Sequence, residues 1–283
     1  MKILVTGGSG YLGTHVRRSF DADDLSRRSG FDILNLQDAA VVADYDVVIH
    51  LAAHLDKSPS AADLVFLTNV EGTINVLRQV REGAVFVFAS TKDVYGRFAD
   101  NYRLVPEACP TEYTGQSALE WSKLIAEHYV KYYARVRKFR SCIFRLSTVY
   151  APRSEGNSPG FVGAWADAVN TGEAIRLPGN GFARRDLLHV DDFSAACRAF
   201  IDSALRHGLY NLGGGPSMAL TLREIVSRIE TASGLQAVID ETRPLPNPVP
   251  LNYVTDLGLV TNELDWDPKI SVADGLKTLF TLR

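Results

Sequence analysis

The stretch Lys2–Gly13, KILVTGGSGYLG, constrains this chain more than any other. An apolar run ends at Thr6, glycines stand at Gly7, Gly10 and Gly13, and a helix is expected to open near Tyr11. Gly7 permits a tight turn, Gly10 lets backbone approach a pyrophosphate, and Gly13 lets the helix pack close to the strand. A helix that starts here turns free N–H groups and the positive end of its dipole toward an anion. Glycines at this spacing, between a strand and a helix, predict a dinucleotide-binding turn made by Gly7, Gly10, Tyr11, Leu12 and Gly13.

The alternation continues along the chain. Residues 46–53 (DVVIHLAA), 84–89 (AVFVFA) and 141–146 (SCIFRL) are short apolar runs of buried-strand type. Between the first two, Leu67, Val70, Ile74 and Leu77 recur at helical spacing within 64–80, and residues 117–136 form a second helical stretch. Strands alternating with helices imply a parallel sheet covered on both faces. Right-handed crossovers make it doubly wound. After Tyr150 the pattern loosens into turn-rich segments at 152–159, 178–181 and 244–250. Two helices are expected there, 191–203 and 221–232, the second with Thr221 as N-cap and Glu224 completing a capping box. The predicted class is α/β. A Rossmann-like doubly wound parallel sheet occupies 1–150, with 187–212 returning to it, and a smaller C-terminal substrate-binding α/β domain takes 151–186 and 213–283.

Composition narrows the partners. The chain has 283 residues, 46% of them apolar, enough for a sizeable core. A net charge of −3 argues against nucleic acid, which draws a basic excess or stripe. Cys109, Cys142 and Cys197 are too few and too scattered for a disulfide framework or a zinc site, and no metal is expected. No charged head precedes a long apolar stretch, and no run of about 18 apolar residues exists, so a cytoplasmic protein without a membrane span is expected.

Seven further segments follow in order: His50–Ala53 (HLAA), Asn69–Thr73 (NVEGT), Ser90–Gly96 (STKDVYG), Arg145–Pro152 (RLSTVYAP), Arg185–Asp192 (RDLLHVDD), Tyr210–Gly213 (YNLG) and Leu264–Pro268 (LDWDP). With the TGxxGxxG turn they resemble, across nearly the whole chain, the extended short-chain dehydrogenase/reductases of the NAD-dependent epimerase/dehydratase family, which act on sugar nucleotides. The resemblance implies cofactor contacts from Leu51, Ala52 and Ala53, and adenine contacts from Asp32 and Ile33. In NAD enzymes an acidic residue about 20 positions on binds the ribose. Asp23 and Asp24 follow Gly13 too soon for that role. Arg27 and Arg28 fall where the second strand is expected to end. They would hold a 2′-phosphate, or form a solvated charge pair. The reading leans to NADP over NAD.

The family's chemistry uses a Ser or Thr on the reacting oxygen, a Tyr that exchanges its proton, and a Lys four residues later on the same helix face. Thr91 matches the first and Lys123 the last, where Lys123 would also hold the nicotinamide ribose. Leu119 stands where the Tyr is expected. Glu120 is a candidate proton acceptor or a solvated helix carboxylate, and Tyr113 precedes the helix. Lys92 and Asp93 stand where the family's dehydratases carry an acid and a base, there usually Asp-Glu and here Lys-Asp, or else they cap a strand end. Arg185 resembles the arginine on the substrate diphosphate, or else forms a domain-bridging ion pair, and Thr148 stands where the family usually has Asn beside the sugar. The implied activity is NAD(P)-dependent oxidoreduction at C4 of a nucleotide sugar, by an epimerase, a 4,6-dehydratase or a 4-ketoreductase. A catalytically decayed dinucleotide binder and a reductase of a non-nucleotide carbonyl remain alternatives. The resemblance also implies a homodimer packed through 64–80 and 117–136, where Tyr129, Tyr132 and Tyr133 give an aromatic surface.

Overall fold

The computed structural model describes residues 1–154, 156–240 and 250–280. In chain order the first half runs β1 (Ile3–Thr6), α1 (Tyr11–Phe20), β2 (Asp23–Leu25), α2 (Leu36–Ala39), β3 (Val47–His50), α3 (Ala62–Phe66), α4 (Gly72–Leu77), β4 (Val85–Thr91), α5 (Ala118–Val136) and β5 (Arg140–Leu146). The second half runs β6 (Thr148–Tyr150), α6 (Phe161–Thr171), β7 (Ala174–Arg176), β8 (Arg184–His189), α7 (Val190–Asp202), β9 (His207–Leu212), β10 (Ala219–Thr221), α8 (Leu222–Ser233), β11 (Val238–Asp240), β12 (Asn252–Tyr253), α9 (Gly258–Leu264) and α10 (Val272–Lys277).

The chain divides into two compact units. The first comprises 1–94, 115–146 and 194–210. Its sheet has the order β2-β1-β3-β4-β5-β9. The pairs β1–β2, β1–β3, β3–β4 and β4–β5 are parallel. Parallel strands covered on both faces read as continuous apolar runs. Accordingly β1 and β3 are buried at every position, and β4 at all but its last. The core joins Leu4, Val48, Phe86 and Phe88 of the sheet to Val76 and Leu77 of α4 and to Ala126 and Val130 of α5. In register, Thr6 pairs with His50 and His50 with Phe88, so β1 and β3 end together where the glycine turn begins, while β4 runs on to Thr91.

The four apolar runs of this unit form strands within a few residues of their expected limits. β2 is different. The strand was expected to end near Arg27 and Arg28, but it stops at Leu25. Ser26 and Ser29 then exchange capping bonds around a single 3-10 turn, Arg27–Ser29. Serine side chains that bond nearby backbone offer the chain an alternative to the ladder. The helix expected over 64–80 is also interrupted. α3 and α4 are joined by a π-turn, Leu67–Glu71, an insertion often found at functional sites.

The second unit comprises 95–114, 147–193 and 211–283. β8 is flanked by β10 and β12 and also pairs with β6, while β7 and β11 form a separate two-stranded ribbon. Val162, Leu187, Ile225, Ile229 and Leu276 pack in its core. Thr221 and Glu224 form the expected capping box of α8. The proline-dense stretch 244–250 lies outside the described residues except for Pro250.

Candidate active site

The glycine turn is tight for identifiable reasons. Gly7 has φ +70°, and a Cβ there would stand 2.8 Å from the Ala52 nitrogen. A Cβ on Gly13 would stand 2.0 Å from the Gly7 carbonyl oxygen, so α1 lies directly on the turn. Gly10 caps α1 without any side-chain hydrogen bond, and the positive end of the helix dipole, at Tyr11 and Leu12, lies at the turn. Beneath the turn lies Asp24, whose side chain is 4% exposed. Its Oδ2 accepts from the hydroxyls of Ser9 and Ser26. Its Oδ1 is buried with no hydrogen-bond partner. An acceptor left bare in this way costs roughly 1–3 kcal/mol until a donor reaches it. A glycine cradle beside a carboxylate oxygen in want of a hydroxyl fits a dinucleotide. Arg27 and Arg28 are exposed, and Arg28 donates to the Ser9 carbonyl, 3.1 Å away. Asp32 closes a local turn on the Leu34 N–H, and Ile33 is buried against Gly72.

A buried polar chain links this turn to α5. The Thr73 hydroxyl donates to the Asn69 carbonyl at 2.6 Å, so it accepts from His50 Nε2–H at 2.9 Å. His50 Nδ1 then accepts from the Thr6 hydroxyl at 2.7 Å, and Thr6 Oγ1 accepts from the Ala52 N–H at 3.3 Å. One tautomer satisfies every member. Asn69, carried by the π-turn, bonds both the N–H and the carbonyl of His54 and donates to Ser122 Oγ at 2.9 Å. These bonds hold Leu51 and Ala52 against the turn. Burial, and then the Lys123 charge, push the His50 pKa down to about 3.

Lys123 lies 5% exposed on α5. Its Nζ donates to the Ala89 carbonyl at 2.8 Å and sits 4.9 Å above the centre of the Phe88 ring. Burial lowers its pKa to about 8, against the pull of Glu127. Leu119, one turn earlier on the helix, is buried. At the end of β4, Thr91 Oγ1 accepts from the Asp93 N–H at 3.2 Å. Lys92 pairs with Asp93. Lys57, which the sequence reading did not single out, pairs with Asp93 at 3.1 Å and with Glu120 at 2.7 Å. Burial opposes the Lys57 ammonium, but the two carboxylates outweigh it and raise its pKa. Burial likewise opposes ionised Asp93, yet Lys92 and Lys57 hold it well below the usual carboxylate range. Glu120 is further tied by the N–H of Ser117, at 2.7 Å, in the α5 capping box. Thr91, Lys92, Asp93 and Lys123 are thus gathered in one unit, with Lys57 and Glu120 added to them.

The model of the NAD dependent epimerase/dehydratase family matches residues 3–213. The chain belongs to that family. It is 28% identical to the CDP-paratose 2-epimerase of Salmonella typhi, over 99% of this chain and 98% of that protein. It is also 28% identical to a dTDP-glucose 4,6-dehydratase of Streptomyces griseus, over 97% and 91%. Among solved structures it resembles the UDP-glucuronic acid 4-epimerase of Bacillus cereus, in complex with UDP-glucuronic acid and NAD. The TM-score is 0.85 at 23% identity, covering 99% of this chain and 98% of that one, which shows a shared fold.

For a member of the epimerase/dehydratase family, the second unit holds the other sequence-derived residues. Thr148 lies on β6, paired with Leu187 of β8. Arg185 is 5% exposed and donates to the carbonyls of Pro250, at 2.9 Å, and Leu251, at 3.3 Å. Tyr113 is 67% exposed.

The folded state refuses a proton at His50 that the unfolded chain accepts below about pH 6.5. Stability from this group is therefore full above that pH and falls as pH drops toward 3, by about 1.4 kcal/mol per unit. Urea unfolding between pH 6.5 and 4.5 should show this slope, and His50→Gln should remove it. An unchanged slope in the variant contradicts the neutral buried imidazole.

Proposed function

We propose that this protein oxidises or reduces C4 of a nucleotide-activated sugar without eliminating water, and that Lys123 exchanges the proton with the C4 oxygen. The carrying observation is the buried Lys123 ammonium, with a buried leucine, Leu119, one turn before it on α5. A nicotinamide dinucleotide, held by Gly7, Gly10, Tyr11, Leu12, Gly13 and Asp24, supplies the hydride donor or acceptor. Asp24 supports NAD over NADP, because a buried carboxylate suits a ribose hydroxyl and repels a 2′-phosphate. Thr91 hydrogen-bonds the reacting oxygen. Lys123, with a pKa near 8, donates from the ammonium in the reductive direction and accepts as the amine in the oxidative one. Arg185 and Thr148 are assigned to the nucleotide sugar, and that role requires Arg185 to exchange its carbonyl partners for phosphate.

Asp93 supports the absence of elimination. A base that takes a proton from carbon needs a raised pKa. Asp93 faces two ammonium groups that keep it ionised and occupied. The same cluster disfavours Glu120 as the proton acceptor, since it already accepts from Lys57 and Ser117. The reading also includes a homodimer. Leu64, Phe66 and Leu67 are exposed on α3 and the π-turn, as are Tyr129, Tyr132 and Val136 on α5. Sedimentation as a monomer at micromolar concentration contradicts that part.

Turnover of a 4-keto or 4-hydroxy nucleotide sugar with NAD(H) should follow one ionisation near pH 8. Lys123→Met should lower kcat by about 10²–10⁴-fold, while Asp93→Asn should keep kcat within a few-fold. Loss of comparable size in Asp93→Asn, with a 4-keto-6-deoxy product from the parent protein, overturns the reading in favour of dehydration. Leu119→Tyr separates the remaining alternative: gained activity marks a decayed site, and lost activity a repurposed one.

A further inference from the structure

A cavity of about 180 Å³ opens on the first unit, between α5, β5 and β9, and shares no residue with the cluster around Lys123. Lys131 and Arg135 enter it from one face of α5, four residues apart. Ser141 and Ile143 come from alternate positions of β5, and His207 and Leu209 from alternate positions of β9. Ile143 and Leu209 make an apolar floor. The rim is cationic, with Ser141 Oγ 3.1 Å from His207 Nδ1.

No carboxylate lines this cavity. Glu127, one turn before Lys131, is fully buried and already engaged. Arg145 grips both its oxygens, at 3.0 and 2.7 Å, and Ser90 donates to it at 2.5 Å. Among the described residues neither Lys131 nor Arg135 forms an ion pair. The crowding shows in the proton affinities of Lys131 and His207. Burial lowers the Lys131 pKa, with Arg145 and Arg135 adding to it and Glu127 opposing. Burial lowers that of His207, reinforced by Arg206 and Arg135. Two unpartnered cations and an imidazole converging on a concave, partly apolar surface favour an anion. A cavity of about 150 Å³ accepts benzene, so this volume takes a ring as well as contacts to an acidic head.

We propose that the cavity binds a phosphate monoester of a ring-sized alcohol. Its phosphate lies against Arg135 and Lys131, where a guanidinium can bond two oxygens at once, and its ring lies on Ile143 and Leu209. The proposal does not depend on the role given to Lys123.

The test is titration of the dinucleotide-loaded protein with phenyl phosphate, followed at the His207 imidazole signals by NMR. Loss of those signals in His207→Gln assigns them. Loading keeps the glycine turn occupied, so the readout reports the cavity alone. A saturable shift is expected, weakened at least tenfold in Lys131→Gln/Arg135→Gln. Both side chains are exposed, so the fold should survive, and an unchanged His50 signal verifies this. Inorganic phosphate should bind more weakly than phenyl phosphate. A drift that does not saturate, or an equal response to chloride at matched ionic strength, overturns the proposal. Equal affinity for inorganic phosphate overturns the assignment of the ring.

Discussion

A lysine ammonium withdrawn from water needs its charge answered, and the first unit is arranged around that need. Lys123 is answered by the Ala89 carbonyl, the face of Phe88 and, one turn along α5, the carboxylate of Glu127. Glu127 is itself stabilised by Arg145 and Ser90, on neighbouring strands. Opening a buried pair of this kind typically costs about 3–5 kcal/mol. The field of Lys123 also helps keep His50 neutral, and neutral His50 in one tautomer ties the end of β1 to the loop after β3. A buried hydrogen-bonded chain therefore runs from the glycine turn to Ser122, the residue before Lys123 on α5.

Leu119 sets what the proposed reaction asks of the lysine. With a tyrosine one turn before it, the lysine would act through a phenol. In the proposed reaction, leucine there leaves the proton transfer to the ammonium itself. Burial that costs the charged form also brings its pKa close to neutral, where a proton moves readily in either direction. In the same unit, Lys57 and Lys92 hold Asp93 ionised, and Lys57 also pairs with Glu120.

The legible parts of the fold were those with strong periodicity. β1, β3, β4 and β5 are apolar runs with no competing pattern, and α8 announces itself through Thr221 and Glu224. β2 gave no such signal, because an edge strand of Asp-Asp-Leu carries a single buried apolar side chain. That is why Arg27 and Arg28 were placed at its end and Asp24 was passed over. Thr91 and Lys123 were legible through motif order. Lys57 was not, since it meets Asp93 and Glu120 only through the fold, from a loop without periodicity. The π-turn was equally hidden, because an extra residue in a helix leaves the apolar spacing of Leu67, Val70 and Ile74 nearly intact.

The central claim is redox turnover at C4 without the tyrosine. The most direct measurement is deuterium transfer from nicotinamide-4-deuterated NADH to a 4-keto nucleotide sugar, read by mass spectrometry and NMR of the product. The account predicts deuterium at sugar C4, with the label absent in Lys123→Met. Tight binding of both dinucleotide and sugar nucleotide by the parent protein, with no label transferred, would contradict it and leave a binding protein.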